Sequence, residues 1–284
     1  MNSANPLQAL RYLHTIHAAP ACERLRHIYC HVFGGIVFSE NYYPPEDRDA
    51  ALLYVADHMI EIMSPRHTED MSFMFARYVK KTGPSYHSIS FRIANCEAGH
   101  QRCKDLGILI NTTGPGLIFL HPKSTGGIIM ELTDHLMPND PWDLPNWPAD
   151  WAAGRPNKPH AIAQIVCAPR NPAGAITFLT NVLGGTAGAS STVEWPQRAT
   201  ATPVKVADAT LLVLGPADRA VGPLIEFAAG ANSGVYALAW KFNDPERGAA
   251  WFRENEIPVT PVPGGTAVTH EVMLDGARHW ITRG

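Results

Sequence analysis

Two carboxylates stand inside otherwise apolar runs of this chain: Glu61 in Met59-Ile60-Glu61-Ile62-Met63 and Glu131 in Ile128-Ile129-Met130-Glu131-Leu132. An ionised carboxylate is costly to bury alone, so each calls for a compensating cation or donor. Histidines are unevenly spread. Ten of the thirteen lie at or before His135, leaving His160, His270 and His279 for the rest. Any metal ligation by carboxylate and imidazole therefore belongs to the first half of the chain.

The elements that must position these groups follow from apolar periodicity and from glycine and proline punctuation. Leu13 to Ala19 reads as a strand stopped by Pro20, and Ala21 to Phe33 as a helix with Leu25, Ile28, Tyr29 and Val32 at helical spacing, ended by Gly34-Gly35. Strands over Gly35 to Ser39, Ala51 to Val55 and Met59 to Met63 complete one βαβββ module. Ser88 to Ile93, a helix near Glu97 to Asp105, and strands Leu117 to Leu120 and Ile128 to Thr133 make a second. Successive side chains of a strand point to opposite faces. His14 thus shares a face with Ile16 and Ala18, Glu61 with Met59 and Met63, Ser88 with Ser90 and Arg92, and Glu131 with Ile129 and Thr133. His17 and His58 fall on the opposite face, as packing residues. His27 and His31, four apart on the helix, read as solvated.

The organisation repeats. Val55-Ala56-Asp57-His58-Met59-Ile60-Glu61-Ile62-Met63-Ser64-Pro65 returns as Val206-Ala207-Asp208-Ala209-Thr210-Leu211-Leu212-Val213-Leu214-Gly215-Pro216. His31-Val32-Phe33-Gly34-Gly35 returns as Asn181-Val182-Leu183-Gly184-Gly185, and Ser88 to Ile93 as Ala237 to Phe242. The length suits two domains, each able to bury its own core. We expect domains over 1–137 and 160–284, joined by a Pro- and Trp-rich linker over 138–159 whose Trp142, Trp147 and Trp151 pack at the seam. The second copy has Ala163, Leu212 and Ala237 where the first has His14, Glu61 and Ser88, so it holds no comparable chemistry.

At 45% hydrophobic residues, 17% charged and a formal net charge of −3, the composition is that of a soluble globule without a basic field for nucleic acid. No apolar run approaches the ~18 residues of a membrane span and no signal-peptide pattern opens the chain, which gives cytoplasm as the expectation. Cys22, Cys30, Cys96, Cys103 and Cys167 form no C-x-x-C pair and read as reduced packing residues.

The motifs resemble those of the vicinal oxygen chelate superfamily, which includes glyoxalase I, methylmalonyl-CoA epimerase, extradiol dioxygenases and fosfomycin or bleomycin resistance proteins. His14-Thr15-Ile16-His17-Ala18-Ala19-Pro20, followed by Tyr29 and Gly34-Gly35, is similar to the family's opening strand and helix. Gly83-Pro84-Ser85-Tyr86-His87-Ser88-Ile89-Ser90-Phe91-Arg92-Ile93 is similar to the start of its second module. The strongest likeness is His121-Pro122-Lys123-Ser124-Thr125-Gly126-Gly127-Ile128-Ile129-Met130-Glu131-Leu132, close to the epimerase branch's H-P-K-x-T-G-G-x-x-x-E-L.

The resemblance implies an α+β fold, with paired βαβββ modules forming cupped mixed sheets in two tandem glyoxalase-like domains. It implies a divalent metal (Zn, Mn, Co, Ni or Fe) held by His14, Glu61, a residue at the start of the Ser88 strand, and Glu131. Ser88 stands where the family has histidine. His87, one residue earlier, joins the set if a β-bulge turns it inward. Such a metal stabilises an enolate as a Lewis acid, with Glu131 or Glu61 as base, which makes the chain a lyase, isomerase or epimerase acting on a small carbonyl compound or acyl thioester. A metal-free enzyme using His14, Arg92 and Glu131, an extradiol-type dioxygenase, and a non-catalytic small-molecule binding or resistance protein are the alternatives. A small-molecule partner is expected, together with a homodimer. Lys123 and Ser124 read as a polar hairpin or as contacts for an anionic tail.

Overall fold

The computed structural model describes residues 5–137, 139–141, 157–217, 221–230, 232, 234–263, 265–268 and 274–283. The linker tryptophans Trp142, Trp147 and Trp151 lie outside the described residues. The first repeat contains β1 (Arg11–Ala18), α1 (Cys22–Arg26), β2 (Ile36–Tyr43), β3 (Arg48–Val55), β4 (His58–Pro65), α2 (Met74–Thr82), β5 (Ser85–Arg92), α3 (Cys96–Asp105), β6 (Ile110–Gly114), β7 (Leu117–Leu120) and β8 (Met130–Thr133). The second contains β9 (Ala161–Cys167), α4 (Pro172–Asn181), β10 (Thr186–Ala187), β11 (Ser191–Val193), β12 (Ala199–Val206), β13 (Ala209–Pro216), α5 (Pro223–Ala229), β14 (Val235–Phe242), α6 (Pro245–Glu254), β15 (Val259–Val262), β16 (Gly265–Val268) and β17 (His279–Arg283). Eight strands make the sheet of the first repeat and nine that of the second.

Every module is a strand, a helix and a meander. Its strand orders are β2-β3-β4-β1 and β5-β8-β7-β6 in the first repeat, β10-β12-β13-β9 and β14-β17-β16-β15 in the second. The opening strand pairs in parallel with the last one, as β5 does with β8, β9 with β13 and β14 with β17. That pairing puts Ser90 directly beside Glu131. The fold is therefore α+β with paired βαβββ modules, as the sequence reading has it.

Three helix starts, those of α3, α4 and α6, are set by short polar side chains. The Asn95 carboxamide accepts from the Ala98 N–H at 2.8 Å, Asn171 from Gly174 at 3.0 Å and Asp244 from Arg247 at 3.0 Å. Each satisfies a donor that a helix N-terminus leaves unpaired. The helix expected over Ala21 to Phe33 starts as α1 and widens into a π-helical turn over His27–Val32, with His27 and His31 exposed. Gly34 and Gly184, its repeat counterpart, both adopt positive φ. A Cβ on the glycine that follows would lie 2.9 Å from the Tyr29 and Tyr54 carbonyls at Gly35, and 2.8 and 2.9 Å from those of Leu179 and Lys205 at Gly185. The repeated glycine pair thus marks a turn and a close backbone approach.

The repeated Val-Ala-Asp has an equally local cause. Val55 pairs with His58 and Val206 with Ala209, so Ala56-Asp57 and Ala207-Asp208 are two-residue hairpin loops, with both alanines at positive φ. Asp57 Oδ1 accepts the Ile162 N–H on β9, and Asp208 Oδ1 accepts the Tyr12 N–H on β1, each at 2.6 Å. Each repeat caps the opening strand of the other.

By internal contacts the chain forms two compact units. One comprises Met1–His14, Ser88–Leu136 and Gln164–Tyr236; the other comprises Thr15–His87, Met137–Ala163 and Ala237–Gly284. Each takes one βαβββ module from each repeat. In the first unit the core includes Phe91, Leu132, Val166 and Leu211, and in the second Leu53, Ile60, Trp240 and Phe252. The five cysteines are free thiols, with Cys96, Cys103 and Cys167 buried. No helix among the described residues is long and apolar enough to cross a membrane.

Candidate acid–base and ion-pair groups

In the first compact unit, β1, β5 and β8 supply His14, Ser90 and Glu131. Glu131 sits between the buried apolar residues Met130 and Leu132 and is 7% exposed. Its compensation includes the Ser90 hydroxyl, which donates to Oε1 at 3.0 Å, and His14, whose Nε2 lies 4.0 Å from the same oxygen. Ser90 and His14 are themselves 0% and 1% exposed. The parallel register of β5 and β8 creates the Ser90 contact. Arg92, two residues further along β5, donates from Nη2 to the His135 carbonyl at 3.4 Å.

In the second unit, Glu61 on β4 has a different partner. Arg48 opens β3 and lies on the same strand face as Leu52, which pairs with Glu61 across the hairpin. Its Nη1 donates to Glu61 Oε1 at 2.7 Å and its Nε to Glu46 Oε2 at 2.6 Å. Burial disfavours the guanidinium charge, but the Glu61 and Glu46 carboxylates more than offset this and raise its pKa above the ordinary arginine value. Tyr43 and Phe75 place their rings 5.3 and 5.5 Å from the guanidinium carbon.

His87 belongs to this second group. Its ring packs on Phe75 and Tyr78 of α2, with centroids at 4.7 and 4.5 Å. Burial lowers its pKa to about 3; the Glu61 charge works the other way and the Arg48 charge adds to the lowering. Its neighbour Tyr86 packs instead on His17 and His279. Ser88, the residue favoured by simple alternation, is fully buried.

Of the four residues that the sequence reading assigns to a metal, the structure thus brings His14 to Glu131, and His87 under the influence of Glu61. Among the described residues no three His, Cys, Asp or Glu side chains gather closely enough to hold a metal ion. The donor chemistry accounts for part of this. Glu61 Oε1 is taken by a guanidinium, and a dication on the same oxygen would face a positive charge at hydrogen-bonding range. His14 and Glu131 are suitable donor types, but Glu61 Oε1, already bonded to the Arg48 guanidinium, does not fit a metal ligand.

Neither a family model nor a curated protein matches the sequence. Solved structures do. A mutant of 4-hydroxymandelate synthase from Streptomyces coelicolor aligns over 92% of this chain and 78% of its own, at 16% identity and a TM-score of 0.66. The chain has the vicinal oxygen chelate fold. Methylmalonyl-CoA epimerase from Mycobacterium tuberculosis aligns with 47% of this chain and 91% of its own, at 23% identity and a TM-score of 0.40. A hypothetical protein from Bacillus halodurans C-125 covers 46% of this chain and 97% of its own, at 20% identity and a TM-score of 0.42.

Within this vicinal oxygen chelate fold the Tyr12 and Ile162 N–H groups make equivalent bonds to Asp208 and Asp57, so Gln164 on β9, one residue beyond the Ala163 expected from the sequence, stands at the position of His14, with Leu212 on β13 and Ala237 on β14 at those of Glu61 and Ser88. None of these side chains titrates. Sequence reasoning missed Arg48. The signal was the isolated charge of Glu61, which required a partner, but that partner stands thirteen residues upstream where the strand had been expected to start only at Ala51.

Proposed function

We propose that this protein is an enzyme that moves a proton beside a carbonyl group of a small substrate, as a lyase, isomerase or epimerase. The observation that carries this reading is the buried His14–Glu131 pair with Ser90 on the same carboxylate oxygen. A carboxylate withdrawn from water is a competent base, and a fixed hydroxyl donor keeps it oriented. Glu131 takes the proton from the carbon beside the carbonyl, and the C–H electron pair moves toward the carbonyl oxygen. His14, a residue type whose unperturbed pKa lies near neutrality, supplies the proton that the developing enolate oxygen accepts. Return of a proton to carbon completes an isomerisation or epimerisation, and departure of a β-substituent completes an elimination. The fold similarity supports the scaffold; the reaction is argued from the residues alone.

The test is solvent-deuterium exchange, followed by NMR, into 2-oxo acids, hydroxyketones and acyl-CoA esters. Wild type exchanges the α-proton of its substrate class, and Glu131→Gln, which removes the base while keeping the shape, lowers the exchange rate by at least ~100-fold. A ligand that stabilises the protein yet exchanges no proton would mark the chain as a binder. Exchange that survives in Glu131→Gln would move the base elsewhere.

A further inference from the structure

The cation beside Glu61 is an amino-acid side chain. We infer that Arg48 is the permanent counter-ion of Glu61 and occupies the place of charge that a divalent metal would need, so that this carboxylate functions within an organic ion pair. The inference does not rest on the acid–base reading of His14 and Glu131.

Three observations of the second compact unit carry it. Arg48 is bonded twice, through Nη1 to Glu61 at 2.7 Å and through Nε to Glu46 at 2.6 Å, which fixes the guanidinium plane and engages a carboxylate on each of two edges. The Tyr43 and Phe75 rings flank the guanidinium carbon, leaving only 17% of the side chain exposed, so it cannot swing out without giving up packing and both ion pairs. A guanidinium also stays protonated at any pH at which the protein is folded, so unlike a lysine it does not yield the carboxylate by losing its proton. Removing only the guanidinium would leave the Glu61 and Glu46 carboxylates without their shared counter-charge, a negative site that attracts a dication.

Equilibrium dialysis of the full-length protein against Mn²⁺, with bound metal counted by mass spectrometry, tests the assignment. Wild type and Glu61→Gln are expected to bind Mn²⁺ equally weakly. Arg48→Met is expected to bind it at least roughly tenfold more tightly than wild type, because the repelling charge is gone and the carboxylates remain. Arg48→Lys, which keeps the charge, stays at the wild-type level. One equivalent of Mn²⁺ on wild type that Glu61→Gln loses overturns the inference. So does an Arg48→Met protein with native circular dichroism and no gain in Mn²⁺ affinity. Should Arg48→Met not fold, the comparison of wild type with Glu61→Gln decides alone.

Discussion

Ser90 donates its hydroxyl to Glu131 Oε1 at 3.0 Å from between the buried apolar residues Ile89 and Phe91. A hydrogen bond to a charged group contributes about 1.5–3 kcal/mol, so Ser90→Ala should slow α-proton exchange roughly tenfold or more through a less well held carboxylate, with a smaller loss than Glu131→Gln. Exchange rates of the two variants, measured on the same substrate, check that order; equal losses would make Ser90 more than a support. At this scale the two carboxylates were legible in the sequence, because a charge in an apolar strand must be compensated. The identity of the compensation was not. Ser90 is adjacent to Glu131 only through the parallel pairing of β5 and β8, and Arg48 reaches Glu61 only through the hairpin register of β3 and β4, which begins at Arg48↔Pro65. His87 was legible as a residue type, whereas its surroundings depended on α2.

The hairpin loops Ala56-Asp57 and Ala207-Asp208 do the same work in two places. Each aspartate accepts a main-chain N–H from the opening strand of the other repeat, and in each case the aspartate itself is exposed. Asp57→Ala and Asp208→Ala should each cost about 1 kcal/mol, below the range for buried charged hydrogen bonds because water can partly replace the acceptor. Urea unfolding midpoints would register this as a shift at unchanged slope; midpoints identical to wild type would reduce the two bonds to incidental contacts. Most elements could be read from periodicity, including the strands that carry His14, Glu61 and Glu131. The helix α2 could not, since it follows a loop rich in charge and serine and buries only Phe75, Ala76 and Val79 of its nine residues. The strand β6 lies outside the sequence reading: Asn111 and Gly114 have low strand preference, and pairing with β7 overrides it.

Each compact unit joins a module of one repeat to a module of the other, which bears on how the whole chain is held together. Residues 1–137 expressed alone should lack a cooperative thermal transition, and co-expression with 160–284 should restore it; a sharp calorimetric peak from the isolated fragment would show that the first repeat is self-sufficient. Acid provides a second test. His17 is fully buried, bonded through Nδ1 to Tyr29 and through Nε2 to the Asp275 carbonyl, and burial lowers its pKa to about 4, with the Asp275 bond opposing. His279, buried against Trp240 and Tyr86, is lowered well below the usual value by burial and then by the charge of His17. The unfolded chain protonates such histidines near pH 6.5 while the folded chain does not, so their contribution is intact above that pH and is lost as the pH falls toward 4. Each adds a slope of about 1.4 kcal/mol per pH unit in that window. Calorimetry between pH 7.5 and 5 should therefore show a falling Tm, with a shallower fall in His17→Gln; parallel curves would assign the acid sensitivity to other groups.

The reciprocal aspartates also say something about how a duplicated chain can drift. What the hairpin gives to its sister copy is carried by Asp57 and Asp208, and what it offers to chemistry is carried four residues on, by Glu61 in one copy and by Leu212 in the other. Because the two duties fall on different side chains, one copy can discard its charged group and still hold up its partner. The second repeat thus keeps the loop on which the first depends, while its Leu212 position carries no charge to be compensated.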